Sequence, residues 1–143
     1  MTTSPLPNDL ATIIARTEAL SQPYAVRLAG RFSYLVEAFA EDYDGALPSW
    51  QSLNSMVDYL VQNSAIPCPE VTLTPTGDWV GEWLGPQRRK LAIEFLASGA
   101  ARILVSWPNL RHPERIDRLV MTTTIDALVD TIKPLAPYTE LAA

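Results

Sequence analysis

The amino-acid sequence predicts an α+β fold: N-terminal helices, an antiparallel meander sheet of four or five strands, and a C-terminal helix packed on one sheet face. Three observations carry this expectation. Apolar residues recur at helical spacing up to about residue 63, then alternate with polar ones from about residue 69. Gly77, Gly81 and Gly85, flanked by Pro75 and Pro86, punctuate the second half too densely for helices. Finally, Trp79 and Trp83 fall on one face of a single strand, because strand side chains alternate.

The helical part comes first. Asn8 or Asp9 is the expected cap of a first helix with Leu10, Ile13, Ile14 and Thr17 on one stripe, ending before Pro23. A second helix is expected from Tyr24 to about Asp42, with Val26, Ala29, Phe32, Leu35, Val36 and Phe39 as its apolar face. Gly30 interrupts it at a cost of roughly 1 kcal/mol relative to alanine, which points to a close helix contact. Asp44-Gly45 and Pro48 form a turn. Ser49 then caps a third helix carrying Leu53, Met56, Val57, Leu60 and Val61, which stops near Asn63.

Strands follow. Val71 and Leu73 alternate with threonines, and Pro75-Thr76-Gly77-Asp78 turns the chain into Trp79–Leu84. Gly85-Pro86-Gln87 leads into Leu91, Ile93 and Phe95, and Ser98-Gly99 into Ile103, Val105 and Trp107. A polar loop from Pro108 to about Arg115 precedes a strand over 116–122. Thr123, with Asp126 three residues on, is the expected cap of a last helix bearing Ile125, Leu128, Val129 and Ile132 and closed by Lys133 and Pro134. Residues 1–143 thus read as one domain, helical over about 8–63, with the sheet and final helix over about 69–134.

Composition narrows the class. The chain is 48% hydrophobic and holds a single cysteine, which fits a globular protein of a reducing compartment, and a cytoplasmic location is expected. No apolar run approaches the roughly 18–20 residues of a membrane span, and Met1–Pro7 lacks a basic signal-peptide start. Charged residues reach only 19%, below the usual roughly 25%. Such a shortage points to a homodimer or a stable protein partner. Charge is also polarised. Residues 1–83 carry a balance of −7 and residues 84–120 a balance of +4, so the two halves either pair internally or offer a directional surface.

Catalytic chemistry is scarce. His112 is the only histidine, lies in a loop, and is far in sequence from Cys68, so a Cys-His or Ser-His device is not expected. One cysteine and one histidine cannot build a zinc site. Glu41-Asp42-Tyr43-Asp44-Gly45 lacks the ligand spacing of a calcium loop and reads as an acidic helix end. No cofactor and no metal are expected. Glu82 and Glu94 share the polar sheet face and form the one carboxylate pair that would serve a small-ligand enzyme. Cross-strand pairing with Arg88, Arg89 or Arg102 is the plainer account of them. Arg88, Arg89, Lys90, Arg111, Arg115 and Arg118 would gather at one end or edge of the sheet. Such a group suits phosphates, with Trp79 stacking on a base, yet a sequence pI of 4.7 argues against nucleic acid. Arginine and tryptophan also dominate protein–protein contacts. The expected partner-binding residues are therefore Trp79, Arg111, Arg115 and Arg118, with Trp83 and Trp107 assigned to the core.

The run Pro69-Glu70-Val71-Thr72-Leu73-Thr74-Pro75-Thr76-Gly77, then Glu82-Trp83, then Leu91-Ala92-Ile93-Glu94-Phe95, resembles a loose group of small uncharacterised bacterial proteins. Ser52-Leu53 in the preceding helix and Thr122-Thr123-Thr124 before the last one extend the likeness over roughly residues 47–133. The resemblance implies a small companion protein of toxin–antitoxin-like or mobile-element gene neighbourhoods, and brings no catalytic residues with it. The functional expectation is a non-catalytic protein-binding module, antitoxin- or immunity-like. The alternatives are a nucleic-acid-associated protein or nuclease-type toxin working through Arg and Glu side chains, and an enzyme built on Glu82 and Glu94.

Overall fold

A computed structural model describes residues 5–63 and 66–133. Three helices, α1 (Pro5–Glu18), α2 (Ala25–Asp42) and α3 (Trp50–Gln62), precede strands β1 (Glu70–Leu73), β2 (Trp79–Leu84), β3 (Lys90–Phe95), β4 (Ala100–Pro108) and β5 (Ile116–Thr124). A short 3-10 turn (Pro86–Arg88) joins β2 to β3, and α4 (Leu128–Ile132) closes the described chain. The strands pair antiparallel in the order β1-β2-β3-β4-β5, so the meander has five strands and the α+β expectation holds.

Parity positions the core. Odd-numbered residues of β2, β3 and β4 turn inward: Trp79, Trp83, Leu91, Ile93, Phe95, Ile103 and Val105 are all buried beneath the helices. Trp83 donates its indole N–H to the Pro67 carbonyl at 2.8 Å and meets the Tyr59 ring edge-on at 6.0 Å. Gly81 makes room for that indole, since a Cβ there would come within 3.0 Å of it. The helices contribute Ile13, Leu28, Phe32, Leu53, Met56, Val57 and Leu60.

Local signals explain most boundaries. Ser49 accepts from the Ser52 N–H at 3.1 Å, which is the N-cap expected of α3. Residues Asp44 and Gly45, both at positive φ, end the α2 segment, with Gly45 N–H on the Ala40 carbonyl at 2.7 Å. That is an acidic helix end. The Pro75–Asp78 turn is held by Gly77, whose φ is +88° and whose carbonyl accepts from Ser49 N–H at 2.8 Å. Thus the β1–β2 hairpin docks on the start of α3.

Several details differ from expectation. α1 begins at Pro5, ahead of the expected Asn8 or Asp9 cap, because proline fits the first turn where no amide partner is needed. Val26 and Val61 lie on exposed faces at 68% and 47% accessibility, displaced from the buried stripes by the helical angle. β5 continues through Thr124, and the hydroxyl that receives the following Ala127 N–H, at 3.2 Å, belongs to Thr124 rather than Thr123. Pro134 lies outside the described residues.

Gly30 marks no helix contact. It is exposed, and nothing approaches within 4 Å of the Cβ it lacks. Gly30→Ala is therefore expected to stabilise the protein by up to about 1 kcal/mol, through higher helix propensity and a less flexible unfolded chain. A rise in urea midpoint with unchanged m-value checks this.

Candidate partner-binding surface

The basic residues do gather at one end of the sheet. Two loops meet there: the β2–β3 connection and the β4–β5 connection. The first contains consecutive left-handed residues, Gln87 (φ 57°) and Arg88 (φ 63°), neither of them glycine. Each such residue costs of order 1 kcal/mol, so the surrounding structure must hold them in place. Gly85 N–H bonds the Arg89 carbonyl at 2.8 Å, closing the turn. Arg88 then donates to the Pro113 carbonyl at 2.7 Å and ties the two loops together.

Asn109 organises the second loop. Its side-chain oxygen accepts from the Arg111 and His112 N–H groups, both at 2.9 Å, while its amide donates to Asp117 at 3.0 Å. Its backbone N–H bonds the Arg115 carbonyl at 2.9 Å, and Arg115 N–H bonds the His112 carbonyl at 2.8 Å. This is a braced Asx-type turn. It displays Leu110 at 93% exposure and leaves Arg111 and Arg115 exposed. Between the loops lies a cleft of about 420 Å³, with Trp107, Pro108, Leu110 and Pro113 as apolar walls and Arg88 and Arg89 at its edge.

Of the residues expected to bind a partner, three are accessible. Arg111 and Arg115 stand on the loop and Arg118 on the outer face of β5, opposite Ser106. None of the three side chains has a partner among the described residues. Trp79 is the exception, and the expectation that it is free for a partner is corrected. It is 0% exposed and meets Phe32 edge-on at 5.4 Å between centroids. The reason is parity: Trp79 shares the inward face with Trp83, and the hairpin turn beside it packs on α3 instead of projecting. Trp107 is only partly buried, so one side of the cleft is aromatic after all.

Glu82 and Glu94 lie on the outer face as expected, but each is answered by a cation. Glu82 sits 3.5 Å from Lys90 and Glu94 3.3 Å from Arg102. His112 lies exposed, 3.7 Å from Glu114. Cys68 lines a different groove, of about 610 Å³, beside Arg27, Arg31 and the β1 edge. In an adjoining pocket lined by Pro23, Tyr24, Arg27 and Cys68, burial, and secondarily Cys68, raises the Tyr24 phenol pKa above its ordinary value. Among the described residues no three His, Cys, Asp or Glu side chains come together as a metal site, and no helix is long and apolar enough to cross a membrane.

Sequence reasoning missed Asn109 and Leu110. An asparagine following Pro108 is a legible turn signal, whereas the exposure of Leu110 depends on how the two loops meet. No protein-family model, curated protein or solved structure matches this chain.

Proposed function

We propose that this chain is a non-catalytic protein-binding module, the antitoxin- or immunity-like member of a pair, which holds its partner at the cleft between residues 85–89 and 109–115. The observation that carries this reading is the combination found there: a displayed Leu110, an aromatic wall at Trp107, and the exposed Arg111 and Arg115 on a braced loop. An apolar anchor ringed by arginine is the usual composition of a protein–protein hot spot. Its complement is an acidic segment carrying an apolar side chain. The likeness of residues 47–133 to companion proteins of toxin–antitoxin-like neighbourhoods supports the same reading, as does a low overall charge of 19%. The pairing of Glu82 with Lys90 and of Glu94 with Arg102 favours the plainer account of these carboxylates as cross-strand partners over the enzyme alternative.

Co-purification with the neighbouring gene products of the native operon is expected to yield a stoichiometric protein partner. Leu110→Ala and Arg111→Ala are each expected to weaken that complex by at least about tenfold, as hot-spot truncations do, while leaving the circular dichroism spectrum unchanged. Recovery of the chain without any partner would count against the proposal. Salt-sensitive binding to RNA or DNA, lost in Arg111→Ala, would instead favour the nucleic-acid alternative.

A further inference from the structure

The two edges of the sheet are treated differently. β1 is four residues long, sits between Pro69 and Pro75, and has its outward carbonyl at Val71 capped by Arg31 at 3.3 Å. Short length, flanking prolines and a covering cation are the ordinary means of closing a sheet edge. Among the described residues β5 has no such cover, and its only charges are Asp117 and Arg118. It runs nine residues in unbroken register with β4, without proline, glycine, lysine or bulge.

The hydrogen-bond phase of β5 follows from bonds at its two ends. Asn109 N–H reaches the Arg115 carbonyl and Ile125 N–H reaches the Gly99 carbonyl, so odd-numbered residues bond toward β4. The N–H and C=O groups of Ile116, Arg118, Val120, Thr122 and Thr124 therefore point away from the sheet. Side chains along this edge are apolar at Ile116 and over Leu119–Met121, with Asp117, Arg118 and three threonines around them. Val120 is 58% exposed on the outer face, Leu119 36% on the inner, and Ile116 40% at the start.

We infer that β5 is the docking edge for a second copy of this chain, forming a two-fold dimer through an antiparallel β5–β5 rung. Self-complementarity of the strand is the ground for choosing a second copy. Val120 is the middle residue of Ile116–Thr124 and one of those whose backbone faces outward. A two-fold axis through it brings all nine residues into register and engages the outward N–H and C=O groups from Ile116 to Thr122, while the Thr124 carbonyl stays with its own Ala127 N–H at 3.2 Å. Val120 then meets Val120 of the second copy, and Leu119 meets Met121 of the second copy on the inner face. Arg118 falls opposite a Thr122 and Asp117 opposite a Thr123, so no like charges oppose each other. Centring the axis on Arg118 would instead set two arginines together. Because Arg31 blocks β1, pairing stops at two copies and gives a closed ten-stranded sheet rather than a fibre. This inference is independent of the partner cleft.

Sedimentation equilibrium of the full chain is expected to give twice the 15.8 kDa chain mass. Val120→Lys, which puts two ammonium groups at the axis on an already exposed position, is expected to return it to a single chain mass with an unchanged circular dichroism spectrum. Amide hydrogen exchange of the native protein supplies the second readout. The amides of Arg118, Val120 and Thr122 should be protected in the dimer and lose that protection on dilution or in Val120→Lys. A single chain mass at every concentration would overturn the inference. So would a dimer indifferent to Val120→Lys. A monomer whose Val120 amide becomes exposed only after removal of residues 134–143 would assign the edge to the chain's own C-terminal segment and also overturn it.

Discussion

Trp79→Ala is expected to remove about 3–5 kcal/mol of folding stability, the range found when large aromatics are deleted from closed cores. Trp79 is fully buried, contacts Phe32 of α2 at the edge-to-face distance, and starts the strand whose first amide is held by α3. Its loss therefore opens a cavity where two helices and the sheet meet, with rigid backbone on several sides that cannot collapse to fill it. A domain of this size commands roughly 5–15 kcal/mol in total, so the variant should be marginal at 37 °C. Urea titration would show a lower midpoint with little change of slope. Trp79→Phe gives the informative comparison. The indole N–H is buried with no hydrogen-bond partner among the described residues, and phenylalanine discards that group while keeping much of the ring volume. Its cost is expected to be less than half that of alanine. An alanine variant within about 1 kcal/mol of the native protein would show that Trp79 is not the buried keystone described above, since such a loss is what exposed sites give.

That prediction also shows where sequence reading stops. The alternation of Trp79, Trp83, Leu91, Ile93, Phe95, Ile103 and Val105 specifies an inward face from residue type alone, because strand geometry leaves only two sides. Ser49 as a cap and the Pro75–Asp78 turn were legible for the same reason: each is a local device whose partners lie within a few residues. The expectation that Trp79 meets a partner fails on parity alone, because Trp79 and Trp83 must share a face and both are buried. The burial of the turn depends on Pro48 and Ser49, some thirty residues earlier in the chain, and no local pattern records that contact. The cleft follows the same division. Its arginines are legible as two basic loop segments, but which end or edge of the sheet they share depends on the folded strand order. The Arg88–Pro113 bond and the paired left-handed residues that shape it join segments distant in sequence, so only the folded chain reveals them.

Ser52→Ala is expected to destabilise the protein by about 1–3 kcal/mol, net of a helix-propensity gain of roughly 0.5 kcal/mol. Ser52 is 0% exposed, and its hydroxyl occupies an uncommon position. In the β2–β3 ladder the bonded rungs fall on odd residues, as the Gly85 to Arg89 bond shows, so Trp79 and Phe95 should exchange hydrogen bonds directly. At this rung the Ser52 oxygen also accepts from Trp79 N–H at 2.7 Å and its O–H donates to the Phe95 carbonyl. A helix side chain thus bridges the last rung of the β2–β3 ladder and ties α3 to two strands at once. Alanine removes both partners from groups that no water reaches, which costs more than the bond itself contributes. Hydrogen exchange separates the two responses. Loss of Trp79 amide protection together with the lower stability fits a bridging hydroxyl that the ladder cannot replace, whereas native stability with a protected Trp79 amide would mean that the β2–β3 pairing suffices and that Ser52 adds little to the fold.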